Sequence, residues 1–318
     1  MPTPHILLWT DGPEPYINAI NAAGLSTRVA IASLSRKDRP STEQMARTNA
    51  MLAWGAPPGV LPQMPELQWA QALTAGVDGW LALPDLPPRL TLTCARGTHR
   101  ESMPENILGA LFYLTKPYAA CVTDQKQSLW TRRQATPLTG QTLGIIGLGA
   151  VGQDLARLAA ALGMKVVATK RNPTPVAGVA EVLPPERADE VLRQADFVVL
   201  LLPATPRTEN FINERSLAQM KPAAWLLNFG RGHLIDDAAL IAATGKKQIS
   251  GAILDVFRQE PLPKEHPFWT SEGIIVLPHI GGGHPNRDQV VAKLFADNLG
   301  RFLDGKPLRE TVDREAGY

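Results

Sequence analysis

The sequence predicts an α/β protein in which two parallel-sheet domains share one chain. Three observations carry that expectation. From Thr142 to Pro278, apolar runs alternate with helix-period segments at the spacing of strand–crossover–strand units. A second, less regular alternation of the same kind fills residues 1 to about 100. And at 318 residues the chain exceeds one typical domain, so two are expected.

In chain order, the first domain offers strands at 6–9, 28–31, 50–54, 68–73 and 90–93. The proline-rich stretches 56–58 and 83–88 between them are loops. Residues 104–116 read as a helix with Pro104 in its first turn, carrying the chain from one domain to the other. Six further strands follow at 143–146, 165–169, 197–202, 224–228, 252–256 and 274–277. Helices at 153–162, 186–194, 214–220 and 236–244 fall between several of them, which makes a doubly wound sheet. A last helix at 287–303 stops at Gly305-Lys306-Pro307. The expected division is 1–102 plus 286–318 for one domain and 103–285 for the other.

Composition narrows the function. Charge is nearly balanced, 32 basic against 30 acidic residues, with no basic stripe, which argues against nucleic acid and membrane surfaces as partners. The longest apolar runs are far too short to span a bilayer. The opening Met-Pro-Thr-Pro-His has neither the basic region nor the apolar core of a signal peptide. Cys94 and Cys121 alone make no disulfide framework and no metal cluster. A cytoplasmic protein without a metal is the simplest reading.

The densest signal is the segment from Gly147 to Gly152, Gly147-Leu148-Gly149-Ala150-Val151-Gly152, placed between an apolar strand and a helix-period run. Val151, Leu155, Leu158, Ala159 and Leu162 fall on one helical face, and Gly163 sits where a C-cap belongs. In that context Gly147 permits a tight turn, Gly149 lets the backbone approach a pyrophosphate, and Gly152 lets helix and strand pack closely. The helix N-terminus then faces the phosphates. The pattern predicts a dinucleotide site on a Rossmann-like domain. About 20 residues on, NAD sites place an acid on the ribose hydroxyls. Here Thr169-Lys170-Arg171-Asn172 has none. Lys170 and Arg171 suit a 2′-phosphate, which favours NADP(H) and leaves NAD(H) possible; an ordinary solvated basic turn is the plain alternative.

Four more strand ends carry polar residues: Pro203 to Thr208, Phe229-Gly230-Arg231, Asp255 to Glu260, and His279-Ile280-Gly281. Ligands of open α/β sheets bind beyond the carboxyl ends of strands. Singly, Arg231, Glu260 and His279 each have an ordinary solvated or paired reading. Together they supply an anion anchor, a proton donor and that donor's partner.

With these stretches in view, GLGAVG, LPATPRT, NFGRG, GAILDVFRQEPLP with HPFW, and PHIGG, the chain resembles the D-2-hydroxyacid dehydrogenases, in particular their glyoxylate/hydroxypyruvate reductase branch. Ala75-Gly76-Val77-Asp78 and Met103-Pro104-Glu105-Asn106 match more loosely. The chain departs from the common pattern at Pro104, usually Ala, and at Gly282-Gly283-His284, which bears on substrate preference.

The resemblance implies two Rossmann-like domains. The first, smaller and flavodoxin-like, serves the substrate; the second carries the nucleotide along the carboxyl edge of its sheet, with substrate in the cleft between them. It implies that Arg231 binds the carboxylate and carbonyl of a 2-oxo acid. His279 then protonates the carbonyl oxygen as hydride arrives, and Glu260 hydrogen-bonds the imidazole and favours its cation. Backbone amides of Gly76 and Val77 take the carboxylate, and Trp54 limits substrate size or fills the first domain's core. Leu148, Ala150, Val151, Pro203, Thr208, Phe229, Gly230, Asp255, His279 and Gly281 line the cofactor, although Asp255 reads equally well as a structural acid. Glyoxylate and hydroxypyruvate lead the substrates, and a homodimer through the nucleotide domains is expected. Trp130 is an interface or a core residue. The alternatives are a nucleotide-sensing corepressor-like scaffold and a dehydrogenase for another small acid such as phosphite. A formate dehydrogenase would usually carry Gln where Glu260 stands.

Overall fold

The computed structural model describes residues 3–318, which fall into two compact units, 3–98 with 284–318 and 99–283. The sequence boundaries at 102/103 and 285/286 lie two to four residues away.

Unit 1 is a five-stranded parallel sheet of β1 (His5–Trp9), β2 (Ala30–Leu34), β3 (Thr48–Ala53), β4 (Trp69–Ala72) and β5 (Thr91–Thr93), in the order β2-β1-β3-β4-β5. This is the flavodoxin-like winding order. Its crossovers include α1 (Glu14–Ala22), α2 (Thr42–Arg47) and α3 (Asp78–Leu81). Ser41 caps α2 by a reciprocal bond with Gln44, a capping box.

Unit 2 opens with α4 (Ser102–Thr115) and α5 (Tyr118–Gln125). Its sheet holds β6 (Thr142–Ile146), β7 (Lys165–Thr169), β8 (Glu181–Leu183), β9 (Phe197–Leu200), β10 (Trp225–Asn228), β11 (Gly251–Leu254) and β12 (Ile274–Val276). All seven pair in parallel, in the order β12-β11-β10-β9-β6-β7-β8. The helices α6 (Ala150–Ala161), α7 (Ala188–Gln194), α8 (Glu214–Leu217) and α9 (Asp237–Gly245) connect them. Winding reverses between β6 and β9, so the crevice for a ligand opens beyond those two strands. α10 (Arg287–Leu303) then returns to unit 1.

Strand residues alternate between two apolar layers. Leu143, Ile145, Val166, Ala168, Val199 and Ile253 belong to one, and Ile146, Val167, Val198, Leu200, Leu226 and Leu254 to the other. A sheet covered on both faces has no polar side, which is why these strands read as unbroken apolar runs. In unit 1, α10 packs Val291, Phe295 and Leu299 against Tyr16, Ile20 and Trp69, with the Phe295 and Trp69 rings stacked at 5.2 Å.

The sequence reading placed no helix before residue 104, so α1, α2 and α3 are additions to it, as are the edge strand β8 and the helix α5, none of whose residues is buried. Trp130 is 93% exposed, so it fills no core of this chain. Among the described residues, no helix is long and apolar enough to cross a membrane.

Candidate active site

β6 ends at Ile146, and the chain reverses at Gly147 with φ +107°, a backbone that L side chains rarely adopt. A Cβ at Gly147 would also stand 3.0 Å from the Leu201 backbone, so this turn lies against the end of β9, at the winding reversal. Gly152 approaches the Gly147 carbonyl just as closely, its Cβ position being 2.8 Å from that oxygen. Gly149 differs: nothing lies within 4 Å of its Cβ position, leaving the space that a pyrophosphate needs. Gly149 is also the N-cap of α6, with Ala150 and Val151 as the first helical residues. Leu148 is buried and donates its N–H to the Thr169 carbonyl at 2.8 Å. The loop therefore fits a dinucleotide phosphate.

β7 leads into Lys170, half-buried, and Arg171, exposed. Lys170 Nζ lies 3.4 Å from Thr174 Oγ1, and its N–H is held by the Leu183 carbonyl of β8. Beyond β9, Thr208 Oγ1 donates to the Pro203 carbonyl at 2.8 Å and accepts the Thr205 N–H, closing the 203–208 loop on itself.

β10 runs into the Arg231 loop. The buried Asn228 side chain accepts the Gly230 N–H at 3.0 Å and donates to the Arg231 carbonyl at 2.8 Å. Arg231 is half-buried, with Nη1 2.7 Å from the Gly230 carbonyl. A Cβ at Gly232 would overlap the backbone of Phe257 and Arg258, so the Arg231 loop presses directly on the segment leading to Glu260. Arg258 ties the same two segments. Its Nε donates to the Ile235 carbonyl at 3.1 Å, Nη1 pairs with Glu209 at 2.7 Å, and Nη2 reaches Asn210.

Past β11, the Asp255 carboxylate is buried and accepts the N–H groups of Ile280 at 2.7 Å and Gly281 at 2.9 Å. Burial pushes this carboxyl above the usual range, and the two amides pull it partly back. Phe229 is buried, its ring 2.7 Å from the Cβ position of Gly281. Glu260 Oε1 accepts the Phe257 N–H at 2.9 Å, and Oε2 lies 2.6 Å from His279 Nδ1. His279 follows β12 in a left-handed backbone, φ +53°. Its side chain is 54% exposed against 32% for Glu260, so the imidazole is reachable while its partner is partly withdrawn. Arg231, Glu260 and His279 thus stand beyond three neighbouring strands, β10, β11 and β12.

Unit 1 contributes its own group. Trp54 follows β3, is 41% exposed, and carries the Arg287 guanidinium 4.5 Å from its ring centroid; it is not a core residue. Gly76 and buried Val77 form the turn between β4 and α3, where Thr74 Oγ1 donates to the Gly76 carbonyl at 2.6 Å. Sequence reasoning gave no role to Asn106, Arg258 or Arg287. Their contacts are long-range; the quoted Met-Pro-Glu-Asn and Asp-Val-Phe-Arg stretches are the signals for Asn106 and Arg258, and no quoted stretch contains Arg287.

Comparison with known proteins agrees with this architecture. A family model described as "D-isomer specific 2-hydroxyacid dehydrogenase, NAD binding domain" matches residues 108–281. Glyoxylate/hydroxypyruvate reductase A of Serratia proteamaculans is 31% identical over 316 residues, covering 96% of this chain and 98% of that protein. A D-isomer specific 2-hydroxyacid dehydrogenase of Xanthobacter autotrophicus, solved with NADPH and MES, superimposes with a TM-score of 0.88 at 26% identity over all of both chains. An NADPH-dependent glyoxylate/hydroxypyruvate reductase of Sinorhizobium meliloti, solved with NADP and sulfate, gives 0.86 at 28% identity, also over all of both chains. The chain belongs to the D-isomer-specific 2-hydroxyacid dehydrogenase family, and its residues 108–281 are that family's NAD-binding domain.

Proposed function

We propose that this enzyme uses NADPH to reduce small 2-oxo acids, glyoxylate and hydroxypyruvate first among them, to 2-hydroxy acids of the D series. The observation that carries the reading is the 2.6 Å contact between His279 Nδ1 and Glu260 Oε2 on the strand end beside Arg231. With Nδ1 engaged by a carboxylate, Nε2 is the ring nitrogen that gives a proton to the substrate oxygen. Arg231 holds the substrate carboxylate and carbonyl, because a planar fork of donors matches two oxygens in one plane. When bound, the reduced nicotinamide supplies the hydride. Gly147 to Gly152 hold its pyrophosphate, Lys170 and Arg171 its 2′-phosphate, and Pro203, Thr208, Phe229, Gly230, Asp255 and Gly281 shape the walls. In unit 1, Trp54 and the Gly76-Val77 turn are assigned to substrate recognition.

The names of the relatives support a 2-oxo acid as substrate, and the neighbours solved with NADPH or NADP support the choice of nucleotide. Cofactor oxidation with a panel of 2-oxo acids and both reduced nucleotides tests the reading. Glyoxylate and hydroxypyruvate should exceed phenylpyruvate, with NADPH ahead of NADH. Turnover with none of the 2-oxo acids, or phosphite oxidation alone, would overturn it.

The same reading makes the enzyme a cytoplasmic homodimer. Tyr113, Tyr118, Val122, Leu129 and Trp130 are all more than half exposed on unit 2, large apolar side chains that a second copy would cover. The two cysteines are unbonded, which suits a reducing compartment. Light scattering should return twice the 34.4 kDa chain mass, and Trp130→Glu should give monomer. A monomeric wild type refutes this assignment.

A further inference from the structure

We infer that Asn106 is a positioning residue for His279, an inference that rests on reading His279 as the proton donor. His279 is a non-glycine residue held at φ +53°, a conformation that persists only where neighbouring structure enforces it. The two peptide units after it are gripped from opposite sides. On the sheet side, Asp255 takes the N–H groups of Ile280 and Gly281. On the helix side, Asn106 Nδ2 donates to the Gly281 carbonyl at 2.9 Å and reaches the Ile280 carbonyl at 3.3 Å.

One turn earlier on α4, Ser102 Oγ donates to the Gly283 carbonyl at 3.1 Å and lies 3.3 Å from Asn106 Nδ2. A Cβ at Gly282 would stand 3.0 Å from the His99 ring, so the turn follows the start of α4 closely. Both donors and acceptors of the 280–281 backbone are therefore engaged, by a carboxylate on one side and an amide on the other. Only a donor can serve the helix side, because the groups facing it are carbonyl oxygens. Asn106 does not touch the reacting atoms. Its work is to hold the backbone that aims the imidazole, and small displacements of a catalytic group lower turnover steeply.

Asn106→Asp is the sharp variant, since it keeps the shape and sets carboxylate oxygens against the two carbonyls; Asn106→Ala removes the donors without repulsion. Both are compared with wild type in turnover with glyoxylate and NADPH, in melting temperature, and in backbone amide exchange. Asn106→Asp should lower kcat about 10- to 100-fold, leave the KM for NADPH within about twofold, and speed exchange at 280–283 but not at 147–152. Asn106→Ala should lie between. Wild-type kcat and unchanged exchange at 280–283 in Asn106→Asp would overturn the inference, as would a loss of kcat matched by loss of folded protein. If wild type itself reduces no 2-oxo acid, the functional reading fails and exchange at 280–283 alone decides the role of Asn106.

Discussion

Glu260 Oε2 lies 2.6 Å from His279 Nδ1, and the other oxygen of the same carboxylate takes the Phe257 N–H at 2.9 Å. The Phe257 amide thus holds the carboxylate in place beside the imidazole. Replacing His279 by Ala should lower kcat about 10²–10⁴-fold, the range for a lost general acid. Glu260→Gln keeps the shape and removes the anionic partner of Nδ1, so it should lower kcat by about 10-fold or more while leaving the KM for NADPH within about twofold. Steady-state rates read both, and wild-type kcat argues against the pairing.

Arg231→Lys keeps the charge and loses the fork. The lysine should remain impaired by at least about 100-fold in kcat/KM, since one point charge cannot replace two parallel bonds to a planar acid. Activity near wild type in steady-state assays would release Arg231 from the substrate.

Neutralising Lys170 and Arg171 together should raise the KM for NADPH far more than that for NADH. Each lost charge-assisted phosphate contact is worth about 1.5–3 kcal/mol. Parallel titrations with the two nucleotides decide, and equal changes in both would remove the 2′-phosphate assignment.

Asp255 gives a pH signature in stability rather than rate. Its carboxyl is raised chiefly by burial, so the folded protein holds that proton more tightly than the unfolded chain does. The resulting contribution is fully present below the ordinary Asp value of about 4 and is lost as pH rises through the raised folded value. Asn does not titrate and accepts only one of the two N–H groups. Asp255→Asn should therefore melt below wild type, with the widest gap at pH 4 and a narrower one at pH 7. A gap that is constant across this range contradicts the shift.

Trp54→Ala tests substrate size from unit 1. The half-exposed indole beneath Arg287 can be removed without opening a core cavity, so the variant should stay folded. Relative kcat/KM for phenylpyruvate should rise by roughly 10- to 200-fold, the worth of one or two methylenes of fit. An unchanged ranking would take Trp54 out of substrate recognition.

Among the described residues, the alternation of apolar runs with helical segments located eleven of the twelve strands, most of them buried parallel strands that leave a continuous apolar trace, with β2 overlapped only at 30–31. The approximate span expected for α10, between a charged start and Gly305, coincides with Arg287–Leu303. What escaped was short or weakly patterned: α1 buries only Tyr16 and Ile20, and α2 and α3 span six and four residues. β8 is a three-residue edge strand after Gly178 and before Pro184, and α5 buries none of its residues. Trp54 and Trp130 were open between core and surface because an indole suits either place, and only the folded chain shows both exposed. The residues flanking His279 were legible from their motif, but the grip of Asn106 spans 175 positions to Gly281, a relation that no local pattern encodes.

Unit 1 is interrupted: its sheet is written by residue 93, yet α10, whose Phe295 stacks on Trp69, arrives only after all of unit 2 has been translated. On the ribosome, residues 99–283 emerge as one uninterrupted stretch and can close their own core, whereas the earlier sheet must wait with Tyr16, Ile20 and Trp69 uncovered. The half of the molecule made first is the half completed last.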